Sequence, residues 1–231
     1  MAIRAEYNDR VLDVNSYFDI LSFEDAVETY RQKPIVNTDQ GQQLLINNTM
    51  QKCMRANAII LLYNLVESTF CNCVQLIYDA ISDEHLTYTQ VTHELRKVWI
   101  DLSFEAEWHV DAVRKHAKDL SDHLHSAVLS YSDMPAGTSG NLDFAQMVEI
   151  SKKFGINFGH VPDVEEVKKT LLFVKTNRND LAHGNVSYST VGASVSLGEL
   201  INHKTYTMTF LNHCIGVYEQ YVQQKRYKYS L

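Results

Sequence analysis

The sequence predicts a helix-rich protein folded as one domain over residues 1–231, and three observations carry that prediction. Prolines number only 3 while 45% of the chain is apolar, which suits long uninterrupted helices around a sizeable core. Apolar residues recur at steps of three and four, as Val164, Val167, Leu171 and Val174 do, and that is the period of an amphipathic helix. The stretch Ile59 to Glu67 is apolar nearly all round, and such a helix lies at the centre of a bundle.

Taken in order, Asp13 to Lys33 reads as a first helix with Tyr17, Ile20, Leu21, Ala26, Val27 and Tyr30 on its apolar side. Ser22 and Asp25 form a second start signal inside it and leave a break open there. Pro34 ends it, and a loop runs through Gly41. A long helix follows from Gln42 or Thr49 to about Ile81. Its one acidic residue in the apolar middle, Glu67, needs a partner, because a carboxylate buried alone is costly. The two options are a hydrogen bond to Tyr63 or a neighbouring hydroxyl, and an ion pair with Arg178; Asn64 lies on the same helix. Thr87 to about Leu129 is helical again, as two pieces. There His116, Asp119 and His123 share a face at metal-ligand spacing, with His109 one heptad before. Surrounding Glu105, Asp111, Arg114, Lys115 and Lys118 make this a solvated helix side, and no metal is expected.

Ser130 to Asn141, with Pro135, Gly137 and Gly140, reads as a loop. Asn141 or Asp143 starts a short helix through about Phe154, stopped at Gly155. Pro162, Asp163 and Glu166 signal the next helix start, and Gly184 its stop. Asn185 to Val195 reads as a loop or a small hairpin. Ser196 and Glu199 form a capping-box pattern before a last helix to about Tyr227. The end, Gln223 to Tyr229, interleaves Lys225, Arg226 and Lys228 with tyrosines. Such a run is either a solvated terminus or an RNA contact.

The net charge of −7 argues against passive coating of nucleic acid. Residues 1–162 carry 13 basic and 22 acidic side chains, whereas residues 163–231 carry 8 and 6. Cys53, Cys71, Cys73 and Cys214 lack metal spacing and read as reduced thiols of a cytoplasmic protein. The N-terminus has no apolar run for a signal peptide. Ala56 to Ile81 is interrupted by Asn64, Glu67, Asn72 and Gln75, so it reads as a buried helix and no membrane association is expected.

The chemistry concentrates in Lys175-Thr176-Asn177-Arg178-Asn179-Asp180-Leu181-Ala182-His183-Gly184. Arg178 is a permanent cation whose planar fork matches phosphate, and an imidazole such as that of His183 trades protons near neutral pH. Together they supply charge neutralisation and proton transfer, the two needs of phosphodiester cleavage. Arg178 continues the packed stripe of its helix. His183 lies about 140° around from it and stacks over Asn179, with Asp180 beside it and Thr176 one turn further back. The facets diverge, so one copy makes a loose site and two copies across a two-fold axis a tighter one. Catalytic candidates are therefore Arg178, His183 and Asn179, supported by Asp180, Glu67, Asn64 and Thr176. Lys175, Lys225 and Arg226 are candidate RNA contacts.

Arg178-Asn-Asp-Leu-Ala-His-Gly184 resembles the signature of the HEPN superfamily. Leu62-Tyr-Asn-Leu-Val-Glu67, Ser139-Gly-Asn-Leu-Asp143 and Leu171-Leu-Phe-Val-Lys175 are similar to stretches in small bacterial HEPN-like nucleases of toxin-antitoxin and phage-defence loci. The resemblance spans about residues 50 to 228. It implies an all-α, HEPN-type helical bundle, with residues 1–48 as an N-terminal extension, a core over 49–228 and a helical insertion at about 87–129. It also implies a homodimer with a composite site and metal- and cofactor-free RNA cleavage through Arg178 and His183, with an antitoxin or defence-system protein as partner. The rival reading is a non-catalytic nucleotide- or protein-binding module. Some HEPN toxins carry a modifiable tyrosine two residues after the histidine; that position here is Asn185.

Overall fold

In the computed structural model the described residues are 2–28, 35–37, 42–44, 47–104, 128–129 and 140–229. Among them the chain is all-α in class. The α-helices among the described residues are α1 (Ala2–Glu28), α2 (Asn48–Asp83), α3 (His93–Phe104), α4 (Phe144–Lys153), α5 (Val164–Ala182), α6 (Tyr188–Ala193) and α7 (Leu197–Gln223). A 3₁₀ turn covers Tyr88–Gln90. Two three-residue strands, Ile35–Asn37 and Gln42–Leu44, pair antiparallel with Val36 opposite Gln43.

The chain forms two compact units, each assembled from separate segments. The first comprises Met1–Ser68, Gly140–Phe144 and Pro162–Phe210. Within it α1 begins near the N-terminus, earlier than Asp13, because Ile3, Tyr7, Val14, Phe18 and Leu21 are all buried along one stripe. Ile20, expected on that side, is 54% exposed instead. The helix does not break at Ser22, whose hydroxyl donates to the Phe18 carbonyl at 2.8 Å. Such back-bonding satisfies the hydroxyl without a cap. Polar links tie α1 to its neighbours. Tyr17 Oη donates to the Met54 carbonyl (2.9 Å), Tyr7 Oη to the Met208 carbonyl (3.3 Å) and Lys204 Nζ to Asn15 Oδ1 (3.1 Å).

Residues 185–195 form no hairpin: a short helix, α6, takes 188–193, with loop only at 185–187 and 194–195. Ser187 caps α6, its hydroxyl accepting from the Thr190 backbone amide at 3.2 Å. A Cβ on Gly192 would lie 1.7 Å from the Lys52 carbonyl oxygen, so α6 packs backbone-to-backbone on α2. That contact selects a helix where composition alone favours an extended chain.

The second unit comprises Thr69–Ser139, Ala145–Val161 and Leu211–Leu231. Its aromatic core includes Phe70, Tyr78, Phe154, Phe158, Tyr218, Tyr221 and Tyr227, all at most 5% exposed. Burial of their hydroxyls is balanced by partners. The Tyr221 hydroxyl donates to the Phe154 carbonyl (2.9 Å), and the Tyr218 and Ser151 hydroxyls meet at 2.8 Å. Burial pushes the Tyr218 ionisation well above its ordinary range. At 87–129, Thr87 bridges Val128 antiparallel and the Leu129 amide donates to the Leu86 carbonyl at 2.9 Å. The His109, His116 and His123 face lies outside the described residues.

The basic C-terminal run folds back on the 3₁₀ turn. Lys228 bridges Val91, the Tyr229 amide donates to the Gln90 carbonyl (2.8 Å), and the Thr92 amide donates to the Tyr227 carbonyl (3.0 Å).

Candidate functional site

Helix α5 carries the motif. Its N-cap is Asp163, held at φ 49° with no side-chain cap bond. Glu165 and Glu166 occupy the positive first turn, where carboxylates are favoured, and each pairs with the lysine three residues on at 2.7 Å. Val167, Thr170, Leu171, Val174 and Leu181 are buried, so the 3.6-residue stripe read from the sequence is the packed face.

Arg178 is half-buried on the margin of that face. Its guanidinium carbon stands 4.5 Å from the centroid of the fully buried Tyr63 ring, a cation–π contact. Nη1 donates to the Gly140 carbonyl at 3.3 Å and to Asn179 Oδ1 at 3.0 Å. Asn179 Nδ2 in turn donates to Asn141 Oδ1 at 2.6 Å. Tyr63 is fixed from the same loop, its hydroxyl accepting from the Leu142 amide at 3.3 Å. Burial, chiefly, pushes the pKa of that hydroxyl up, so it stays neutral beneath the cation. One residue on, Asp143 pairs with Lys175 at 2.6 Å. The segment 140–143 is therefore laced to α5 through Gly140, Asn141 and Asp143, and all of these groups lie in the first unit.

The Glu67–Arg178 ion pair does not form. Glu67 instead takes the Tyr63 hydroxyl at 3.5 Å, the weak limit of a hydrogen bond. Glu67 is only partly buried, so the driving force for a buried pair is weak. Asn64, on the same helix, is exposed.

His183 is the C-cap of α5 at φ −88° and is exposed. Gly184 at φ 70° follows. Its amide donates to the Leu181 carbonyl (3.2 Å) and the Asn185 amide to the Asp180 carbonyl (2.9 Å). These two bonds make a Schellman-like closure, which wants glycine in the left-handed position. Among the described residues the His183 imidazole has no hydrogen-bond partner. Asn179, expected beside the imidazole, turns its side chain to Arg178 and Asn141 instead, while its carbonyl accepts the His183 amide (3.0 Å). The Asp180 carboxylate receives Asn185 Nδ2 at 3.4 Å. Thr176 is exposed on the same side of α5 as Leu172, which is 52% exposed.

The cations proposed as RNA contacts are largely engaged. Lys175 holds Asp143. Lys225 pairs with Glu84 at 3.0 Å, and Lys228 and the Tyr227 hydroxyl also bond that carboxylate. These partners hold Glu84 well below the usual carboxylate range, at about 2. Arg226 lies over the Tyr221 ring at 5.6 Å. Among the described residues no group of three or more His, Cys, Asp and Glu is arranged to hold a metal ion.

Sequence reasoning missed Gly140, Asn141 and Tyr63 as the groups that hold the arginine. The only signal was their place in two of the motif-like stretches; nothing in the sequence couples positions 38 residues apart. Residues 7–227 match the family model described as MAE_28990-like HEPN. No curated protein and no solved structure matches the chain.

Proposed function

The chain belongs to the MAE_28990-like HEPN family, and on that premise we propose that it is a metal-independent endoribonuclease acting as a toxin or anti-phage effector. The observation that carries the reading is the Arg178 cradle. A guanidinium stacked on Tyr63 and bonded through Nη1 alone keeps its Nε and Nη2 without a partner among the described residues. Those two donors form the fork that matches two phosphate oxygens.

In the proposed reaction the RNA 2′-oxygen attacks the adjacent phosphorus and the P–O5′ bond breaks. One imidazole accepts the 2′-hydroxyl proton, and an imidazole returns a proton to the 5′-oxygen. Arg178 neutralises the charge that builds on the non-bridging oxygens. The products are a 2′,3′-cyclic phosphate and a 5′-hydroxyl. His183, exposed at the cap, and the exposed Leu172 and Thr176 on α5 support a site shared by two copies of the chain.

The test is incubation of the pure protein with total RNA in EDTA, with fragment ends determined. Cyclic phosphate ends, and their loss in Arg178→Ala and His183→Ala, are expected. Cleavage of a DNA version of the substrate, or full activity in His183→Ala, rejects the mechanism. No cleavage by any form, with no growth arrest on expression, favours the binding-module reading.

A further inference from the structure

We propose that Asn141 is a positioning residue for Arg178, and that the loop 140–143 fixes which edge of the guanidinium meets phosphate. The inference rests on the reading of Arg178 as the phosphate-binding group, and the geometry supplies the rest. A guanidinium only donates, so the Asn179 amide must turn its oxygen toward Nη1. That leaves Asn179 Nδ2 facing outward as a donor, and Asn141 answers it with Oδ1 at 2.6 Å. The relay therefore has one polarity, set by a group that cannot reverse its role.

The second Nη1 bond ends on the Gly140 carbonyl at 3.3 Å, where the backbone takes φ +71°. A Cβ there would sit 3.1 Å from Nη1. The loop backbone directly, and the Asn141 side chain through Asn179, thus pin one nitrogen from two directions, while the Tyr63 face fixes the plane at 4.5 Å. With plane and one corner fixed, the Nε–Nη2 edge has a single orientation, and it is the edge that two phosphate oxygens would take.

The test uses the full chain and reads the Arg178 side chain directly, by NMR of its guanidinium nitrogens, alongside cleavage of total RNA. In the wild type the Arg178 Nη protons should be separate and slow to exchange by rotation about Cζ–Nε. Asn141→Ala should merge them and slow cleavage roughly ten-fold, as small misplacement of a catalytic group does. Asn141→Asp keeps the acceptor and Asn179→Asp keeps the Arg178 bond while Asn141 rotates to donate. Each single variant should therefore retain separate signals. The double Asp variant opposes two carboxylates and should lose far more than the singles combined. Unchanged Arg178 signals in Asn141→Ala, single Asp variants that behave like Ala, or an additive double variant would overturn the proposal. A wild type that holds Arg178 rigid but cleaves no RNA sinks the nuclease reading and leaves this assignment standing.

Discussion

The arginine of the motif is held by the Tyr63 ring, the Gly140 carbonyl and the Asn179 side chain. Tyr63 contributes its ring to Arg178 and its oxygen to the Leu142 amide, so two substitutions separate the contributions. Tyr63→Phe keeps the ring and strips the amide of its buried acceptor, which should cost about 1–3 kcal/mol. Tyr63→Leu should cost more, since the cation–π contact goes as well. Urea titration compares them, and a Leu variant as stable as Phe would remove the ring from the account. Gly140 is constrained twice, by φ +71° and by Arg178 Nη1, which would stand 3.1 Å from any Cβ placed there. Gly140→Ala should therefore lose about 1–2 kcal/mol from the left-handed backbone and, under the proposed reaction, also weaken RNA cleavage by displacing the guanidinium. The motif pair itself, Arg178 and His183, is legible in the sequence because both residues lie within one helix and its cap. The cradle is not, since hydrogen bonds spanning 38 residues leave no periodicity to read. Glu67 misleads for a related reason. An acidic residue in an apolar run looks buried on paper, yet its position on α2 leaves it half-exposed.

Elements are legible wherever burial sets the period. Helix α5 and the Asn48 start of α2 match the apolar pattern. Helix α1 reads short because its stripe from Ile3 to Leu21 is diluted by charged neighbours. Helix α6 reads as loop or hairpin because its Ser, Thr, Gly and Val residues have little helix preference; packing against α2 overrides them. Gly192→Ala tests that directly. Its methyl would meet the Lys52 carbonyl oxygen at 1.7 Å, so one backbone must move, and destabilisation of about 1–3 kcal/mol or more is expected in denaturant titration. A neutral result would mean that α6 is not seated on α2. The C-terminal run makes a pH prediction. Glu84 ionises at about 2 rather than 4.5 because Lys228, Tyr227 and Lys225 bond its charged form. A depressed carboxylate favours the docked run above its unfolded value and loses that contribution as pH falls. Amide exchange at Thr92 and Tyr229, corrected for the intrinsic pH dependence of exchange, should therefore show protection falling between about pH 4.5 and 2, and Glu84→Gln should abolish the change.

At the scale of the whole molecule, the proposed reaction leaves open which histidine would serve which arginine. The two residues are five apart on one helix, about 140° around its axis, with Arg178 at the packed margin and His183 at the exposed cap. In a two-fold assembly, each arginine can work with the imidazole of its own chain or with that of the other copy. Mixing two dead variants distinguishes these. In an Arg178→Ala chain paired with a His183→Ala chain, no subunit holds both groups, so pairing within a chain predicts no recovered cleavage. Pairing across the axis leaves one complete set in each mixed dimer. An equal mixture with random exchange of subunits then recovers about a quarter of wild-type activity, half of the dimers each with one of two sites intact. The diverging facets favour the second outcome. Each variant alone must stay inactive, and recovered activity must disappear when the mixture is diluted below the dimer dissociation constant. If the protein cleaves RNA as a monomer at every concentration, the shared site is wrong and His183 must reach Arg178's phosphate within a single chain.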